Sequence, residues 1–122
     1  MTPLSGRGKR MAVKLPNGDR ADLGRKLEDY VLSTQHREGR HKAHVFESVL
    51  GLTLANRDVL RAAVLRAAVT SEEAEDHGDN GHGMVYSLRF PMRTTKGTAT
   101  VVTAWIVRRG EDFPRLTTCY IL

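Results

Sequence analysis

Apolar residues recur at helical spacing in the first half of the chain and alternate with polar ones in the last third. From Gly39 to Gly51 (GRHKAHVFESVLG), Ala43, Val45, Phe46, Val49 and Leu50 fall on one side of a helix, with His44 and Glu47 opposite. Leu27, Tyr30 and Val31 predict an earlier helix over Arg25–Leu32, broken by the polar run Ser33–Glu38. Arg57–Val69 predicts a third, with Val59, Leu60, Ala63, Val64 and Ala67 as its stripe and Asn56 placed as N-cap. Ahead of the helices, Met11–Leu15 and Arg20–Leu23 flank Pro16-Asn17-Gly18-Asp19. Asn-Gly between short extended runs predicts a small hairpin.

The pattern changes after Val69. Ser71–Gly83 is acidic and glycine-rich, which predicts a mobile surface loop. His77 and His82 with Asp76 and Asp79 match no stable metal spacing, so no metal is expected. Met84–Phe90, Thr98–Val107 and Leu116–Ile121 then alternate, joined by the turn-rich connectors Pro91–Gly97 and Arg108–Pro114. Short connectors imply antiparallel neighbours in sequence order. Thr98–Val107 has no clearly polar face, which places it centrally. The expected fold class is α+β: a small N-terminal hairpin, three helices, then an antiparallel sheet of three to four strands covered by helices on one face.

Composition narrows this picture modestly. At 122 residues, 40% hydrophobic and 27% charged, the chain is one domain with a single core. Residues 1–10 read as a flexible lead-in and 11–122 as the domain. Arg7, Lys9 and Arg10 supply three of the five net positive charges, so the basic balance is weak evidence for nucleic acid binding. The single cysteine, Cys119, excludes an internal disulfide and a cysteine-based zinc site. No signal peptide or membrane-length apolar run is visible, and a cytoplasmic location is expected.

Candidate chemistry sits in two places. Lys42 lies near the centre of an apolar helical stripe, one turn ahead of Phe46, with His41 at the stripe's edge in line with Val45. An unpaired buried charge is costly. Either Lys42 snorkels to solvent from the first turn, or the helix start abuts a cleft into which Arg40, His41 and Lys42 point. In the last strand, period two puts Leu116, Thr118 and Tyr120 on one face, with Thr117 on the other and Arg115 at the entrance. Arg89 adds a second guanidinium from the first strand. Thr103, between Val101 and Trp105, is either a core residue bonded to backbone or part of the site. Hydroxyls and guanidinium groups opposite a histidine and a lysine suit a phosphodiester. The alternative is that Tyr120 belongs to the core and the arginines are solvated.

Three blocks, LPNG (15–18), GRHKAHVFESVLG (39–51) and TAWIVRRGEDFPRLTTCYIL (103–122), resemble a family of small uncharacterised bacterial domains found alone and at the ends of polymorphic toxins. That family is similar to a branch of the RNase-toxin fold shared by barnase, EndoU, colicin D and RelE, whose site lies where an early helix faces the sheet. The resemblance implies a metal-independent ribonuclease without cofactor. His41, Lys42, Arg115, Thr118 and Tyr120 would be catalytic, with Arg40, Arg89, Thr103 and Thr117 binding substrate. RNA and a small acidic immunity or antitoxin protein would be its partners, and no membrane. The alternative function is a non-catalytic module that binds a partner protein or RNA.

Overall fold

The computed structural model describes residues 12–122, so the lead-in expected over residues 1–10 lies outside the described residues. The fold is α+β. Five strands form one antiparallel sheet in the order β1 (Ala12–Val13), β2 (Ala74–Asp79), β3 (Gly83–Arg93), β4 (Thr98–Arg108) and β5 (Arg115–Ile121). The three expected strands are present as β3, β4 and β5, neighbours in sequence order, with β4 between the other two.

The segment expected as a mobile loop is corrected: Ala74–Asp79 is a strand. Its composition disfavours this, but the eleven-residue β3 presents a full edge of backbone donors and acceptors, and pairing satisfies them. Ala74, fully buried, is the apolar anchor of the segment. The small N-terminal hairpin turns at Asn17, whose φ of 50° is left-handed, and at the tight turn Gly18–Arg20. Each arm is held by the main sheet. Ala12–Val13 pairs with β2, and Asp22 bridges Arg115 in parallel.

The three helices are α1 (Leu27–Val31), α2 (Arg40–Val45) and α3 (Arg57–Thr70). α1 is wound as a π-helix, and α2 runs on into a π-helical turn over Phe46–Leu50. Gly51 ends this helix in the left-handed conformation, φ 70°, which glycine adopts without a Cβ clash. Asn56 occupies the N-cap position of α3 without a side-chain cap bond, and Thr53 caps the turn before it. Thr53 Oγ1 accepts the Ala55 N–H, while Asn56 Oδ1 accepts the Thr53 N–H at 2.7 Å. Glu28 ties α1 to α3 by accepting from Arg61 at 2.8 Å and lying 3.4 Å from Arg57.

The helices pack on one sheet face. Leu27, Val31, Phe46, Leu60 and Val64 from the helices meet Leu88, Val101 and Trp105 from the strands, all at 0–1% exposure. Val45 is on the rim of this face at 39% exposure, outside the stripe assigned to it. No helix among the described residues is long and apolar enough to cross a membrane.

Candidate functional site

The register of β5 decides which side chains come together. Val101 pairs with Ile121, Val102 with Tyr120, Thr103 with Cys119 and Ala104 with Thr118; the register then slips, and Trp105 pairs with Leu116. The slip is a bulge at Thr117, which inserts one residue and breaks period-two alternation. Leu116 and Cys119 therefore both face the core, at 3% and 0% exposure. Thr118 and Tyr120 face the other side of the sheet. This corrects the placement of Leu116 on a common face with Thr118 and Tyr120.

Lys42 reaches that side because β5 is an edge strand and α2 lies along it. Its Nζ donates to Tyr30 Oη at 3.0 Å and to Thr118 Oγ1 at 3.2 Å. The ammonium lies 5.1 Å from the Tyr30 ring centroid and 5.4 Å from that of Tyr120. Each such ring contact contributes on the order of 0.5–2 kcal/mol. The half-buried lysine is thus neither a free snorkel nor an unpaired charge.

The cluster is a donor site. A lysine ammonium carries three N–H groups and no acceptor. Two are engaged by the two hydroxyl oxygens, leaving one. Tyr30 and Thr118 turn their lone pairs to Lys42, so their own hydroxyl protons point away and are available. Three donors around one positive charge suit a tetrahedral oxyanion.

Tyr30 was legible only as one member of an apolar stripe. The signal that finds it is the need for a lysine in such a stripe to have an aromatic or hydroxyl neighbour. Behind it, His36 packs edge-on to the Tyr30 ring, centroids 4.7 Å apart and planes at 84°. His36 Nδ1 accepts the backbone N–H groups of Glu38 and Gly39, both at 3.0 Å, and so caps the entry to α2. Gly39 lies against Tyr30 so closely that a Cβ there would be 2.4 Å from the Tyr30 carbonyl oxygen. Gly39→Ala should therefore push α2 off α1 and destabilise the fold by about 1–3 kcal/mol. Urea denaturation reads this, and a variant as stable as the parent would show that the close approach is dispensable.

The other expected site residues lie elsewhere. His41 and Arg40 are exposed, and neither side chain makes a hydrogen bond or ion pair among the described residues. Arg115, five residues from Tyr120 and on the order of 13 Å from it along the strand, is held by two carboxylates. It donates to Glu111 at 2.9 and 2.9 Å and to Asp22 at 3.1 Å, and its guanidinium stacks 4.9 Å over Phe113. The Glu111 carboxyl is held below its ordinary value by the hydrogen bond from Arg115. Arg115 serves this network and does not join Lys42. Thr117 is the exposed bulge residue, its Oγ1 donating to the Ala104 carbonyl at 3.0 Å. Arg89 is exposed on the far face, beside Glu73, Glu75 and Ser87.

Thr103 is corrected as a substrate contact. It is fully buried, and its hydroxyl donates to the Leu88 carbonyl at 3.2 Å while accepting the Trp105 indole N–H at 2.9 Å. It satisfies the largest side chain of the core. Among the described residues no group of three or more His, Cys, Asp or Glu side chains is placed to hold a metal ion.

Comparison with families adds one result. The model of DUF6883, a domain of unknown function, matches residues 14–122. The chain belongs to this family. No curated protein and no solved structure matches it. The match takes in every element of this DUF6883 domain from the Asn17 turn through β5, and with them the Lys42 cluster.

Beneath the cluster of this DUF6883 domain, burial pushes the Cys119 thiol up to about 12, partly offset by the nearby charge of Lys42. The thiol is therefore protonated and sealed at neutral pH. A disulfide reagent at pH 8 should label the unfolded chain readily and the native chain only on opening; rapid native labelling would contradict the burial. The sign of the pH effect follows. In the unfolded chain the thiol ionises near 9.0, whereas the folded state keeps its proton to about 12. This contribution to stability is full below about pH 9 and is lost as pH rises towards 12.

Proposed function

We propose that the domain is a metal-independent ribonuclease of the toxin type, which holds the scissile phosphodiester at Lys42. The observation that carries this reading is the ammonium of Lys42 fixed between Tyr30 Oη and Thr118 Oγ1 with two aromatic rings beside it. Lys42 would balance the charge that develops on the phosphorane, and Tyr30 and Thr118 would donate to its oxygens. Tyr120 would position the adjoining nucleotide. His41, one residue from Lys42, is the candidate for moving a proton to or from the ribose near neutral pH. It is exposed, so it would have to swing towards bound RNA. An activity of this kind in the cytoplasm calls for a neutralising partner, and a small acidic immunity or antitoxin protein would fit over a cationic site.

The exposed position of His41 favours a second reading, in which the cluster binds RNA or a partner protein without cleaving anything. One experiment separates the two. The full chain is incubated with single-stranded RNA in chelator, beside Lys42→Met and His41→Ala. Cleavage by the parent that fails in Lys42→Met supports the ribonuclease. Lys42-dependent binding without cleavage supports the second reading. Neither cleavage nor binding overturns both.

A further inference from the structure

The sheet face opposite the helices carries three exposed arginines without a carboxylate partner; among the described residues Arg37, Arg40 and Arg66, which lie off this face, are unpaired too. Arg20, Arg57, Arg61, Arg109 and Arg115 all pair with carboxylates. Arg89, Arg93 and Arg108 make no hydrogen bond or ion pair among the described residues, and all three are exposed. Their position is set by the register. Met84, Tyr86, Leu88 and Phe90 pair with Val107, Trp105, Thr103 and Val101 on the core side, so Arg89 and Arg93 of β3 and Arg108 of β4 project from the other.

On that face Arg93 stands level with Thr98, Arg89 with Val102, and Arg108 with Gly83. The line from Arg93 to Arg108 thus runs nearly the whole length of β4, roughly 33 Å at the rise of a strand. Its floor is small or aliphatic: Thr100, Val102, Ala104 and Ile106. Tyr120, the aromatic residue that β3–β5 present on this face, sits level with Val102 and Arg89, and Lys42 lies over its ring. The far margin is different. Glu75 of β2 faces the same way, level with Ser87, and His77 Nε2 lies 2.7 Å from Ser87 Oγ. A polyanion would therefore keep to the β3–β5 side. Glu111, which Arg108 influences at longer range, is engaged by Arg115.

We infer that this face binds a single strand of RNA along the line of Arg93, Arg89 and Arg108, delivering it to Lys42 at the edge of the sheet. The inference rests on the Lys42 site reading and names its substrate class. A row of unpaired guanidinium groups matches a chain of phosphates. A flat sheet with an aromatic side chain suits bases freed from a duplex rather than the groove of a helix.

The test uses a fluorescent 2′-O-methyl oligoribonucleotide of about twelve residues, which a 2′-hydroxyl attack cannot cleave, single-stranded and as a duplex. Arg89→Ala, Arg93→Ala and Arg108→Ala should each weaken single-strand binding on the order of 3–10-fold. The triple variant should flatten the salt-dependence slope by about 2, roughly 0.7 for each of three phosphate contacts. Arg66→Ala, exposed on α3, should bind like the parent. Unchanged binding by the triple variant, with loss in Lys42→Met, overturns the face and leaves the Lys42 site standing. Loss in the triple variant with none in Lys42→Met supports the face and removes the site. Equal or tighter binding of the duplex overturns the single-strand assignment, and no RNA binding by the parent overturns the inference outright.

Discussion

Phe46→Ala is expected to lower the stability of the domain by about 3–5 kcal/mol. Phe46 is fully buried where α2 passes into its π-helical turn, in the same core cluster as Trp105, which is also fully buried. Truncation removes a large apolar area and leaves a cavity that a helix stapled at both ends closes poorly. The Gly39 end is fixed by its contact with Tyr30, and at the other end Lys96 Nζ and Thr94 Oγ1 donate to the Glu47 and Leu50 carbonyls. A domain of this size has about 5–15 kcal/mol in all, so the loss is a large fraction of it. Urea titration with matched slopes checks the value. A loss below about 1 kcal/mol would mean that the helix packs elsewhere. The same variant should also weaken the site, because the helix that carries Lys42 is anchored by Phe46.

On the ribonuclease proposal, Lys42→Met is expected to reduce RNA cleavage by about 10²–10³-fold while leaving the fold intact. Methionine keeps most of the side chain's apolar length between the rings of Tyr30 and Tyr120 and removes the charge. The hydroxyls of Tyr30 and Thr118 lose a donor, but both residues are only partly buried and water replaces it. On that proposal the loss should fall mainly on kcat, since the charge that Lys42 would balance is greatest in the transition state. Lys42→Arg should restore little. A planar guanidinium does not reproduce a compact ammonium between two hydroxyl oxygens. A Lys42→Met variant with parental kcat would remove Lys42 from the proposed chemistry.

Much of the fold is legible along the chain because its physical signals are local. Gly51 ends the second helix where the apolar stripe ends, and glycine takes its left-handed backbone angle without a Cβ clash. The alternation of β3 and β4 survives intact into their pairing. Ala74–Asp79 is not legible, because nothing in AEDHGD favours a strand; the partner edge of β3 creates it. Of the candidate site residues, Lys42 contacts Thr118 and Tyr120. His41 and Arg115 do not join them, because a helix sends adjacent residues about 100° apart and because two carboxylates lie nearer to Arg115.

By itself the sequence determined the helices, the last three strands with their antiparallel order and the oddity of a lysine in an apolar stripe. These depend on periodicities and turn residues that act within a few positions. Tertiary structure alone decided what that lysine touches. The bulge at Thr117 turns Thr118 and Tyr120 away from the core while keeping Leu116 and Cys119 in it, and a one-residue slip leaves no trace in composition. Tyr30 enters from a helix twelve residues away because Gly39 lets the two backbones touch. The division between paired and unpaired arginines is likewise a matter of distance in space, set by which carboxylates the fold brings within reach.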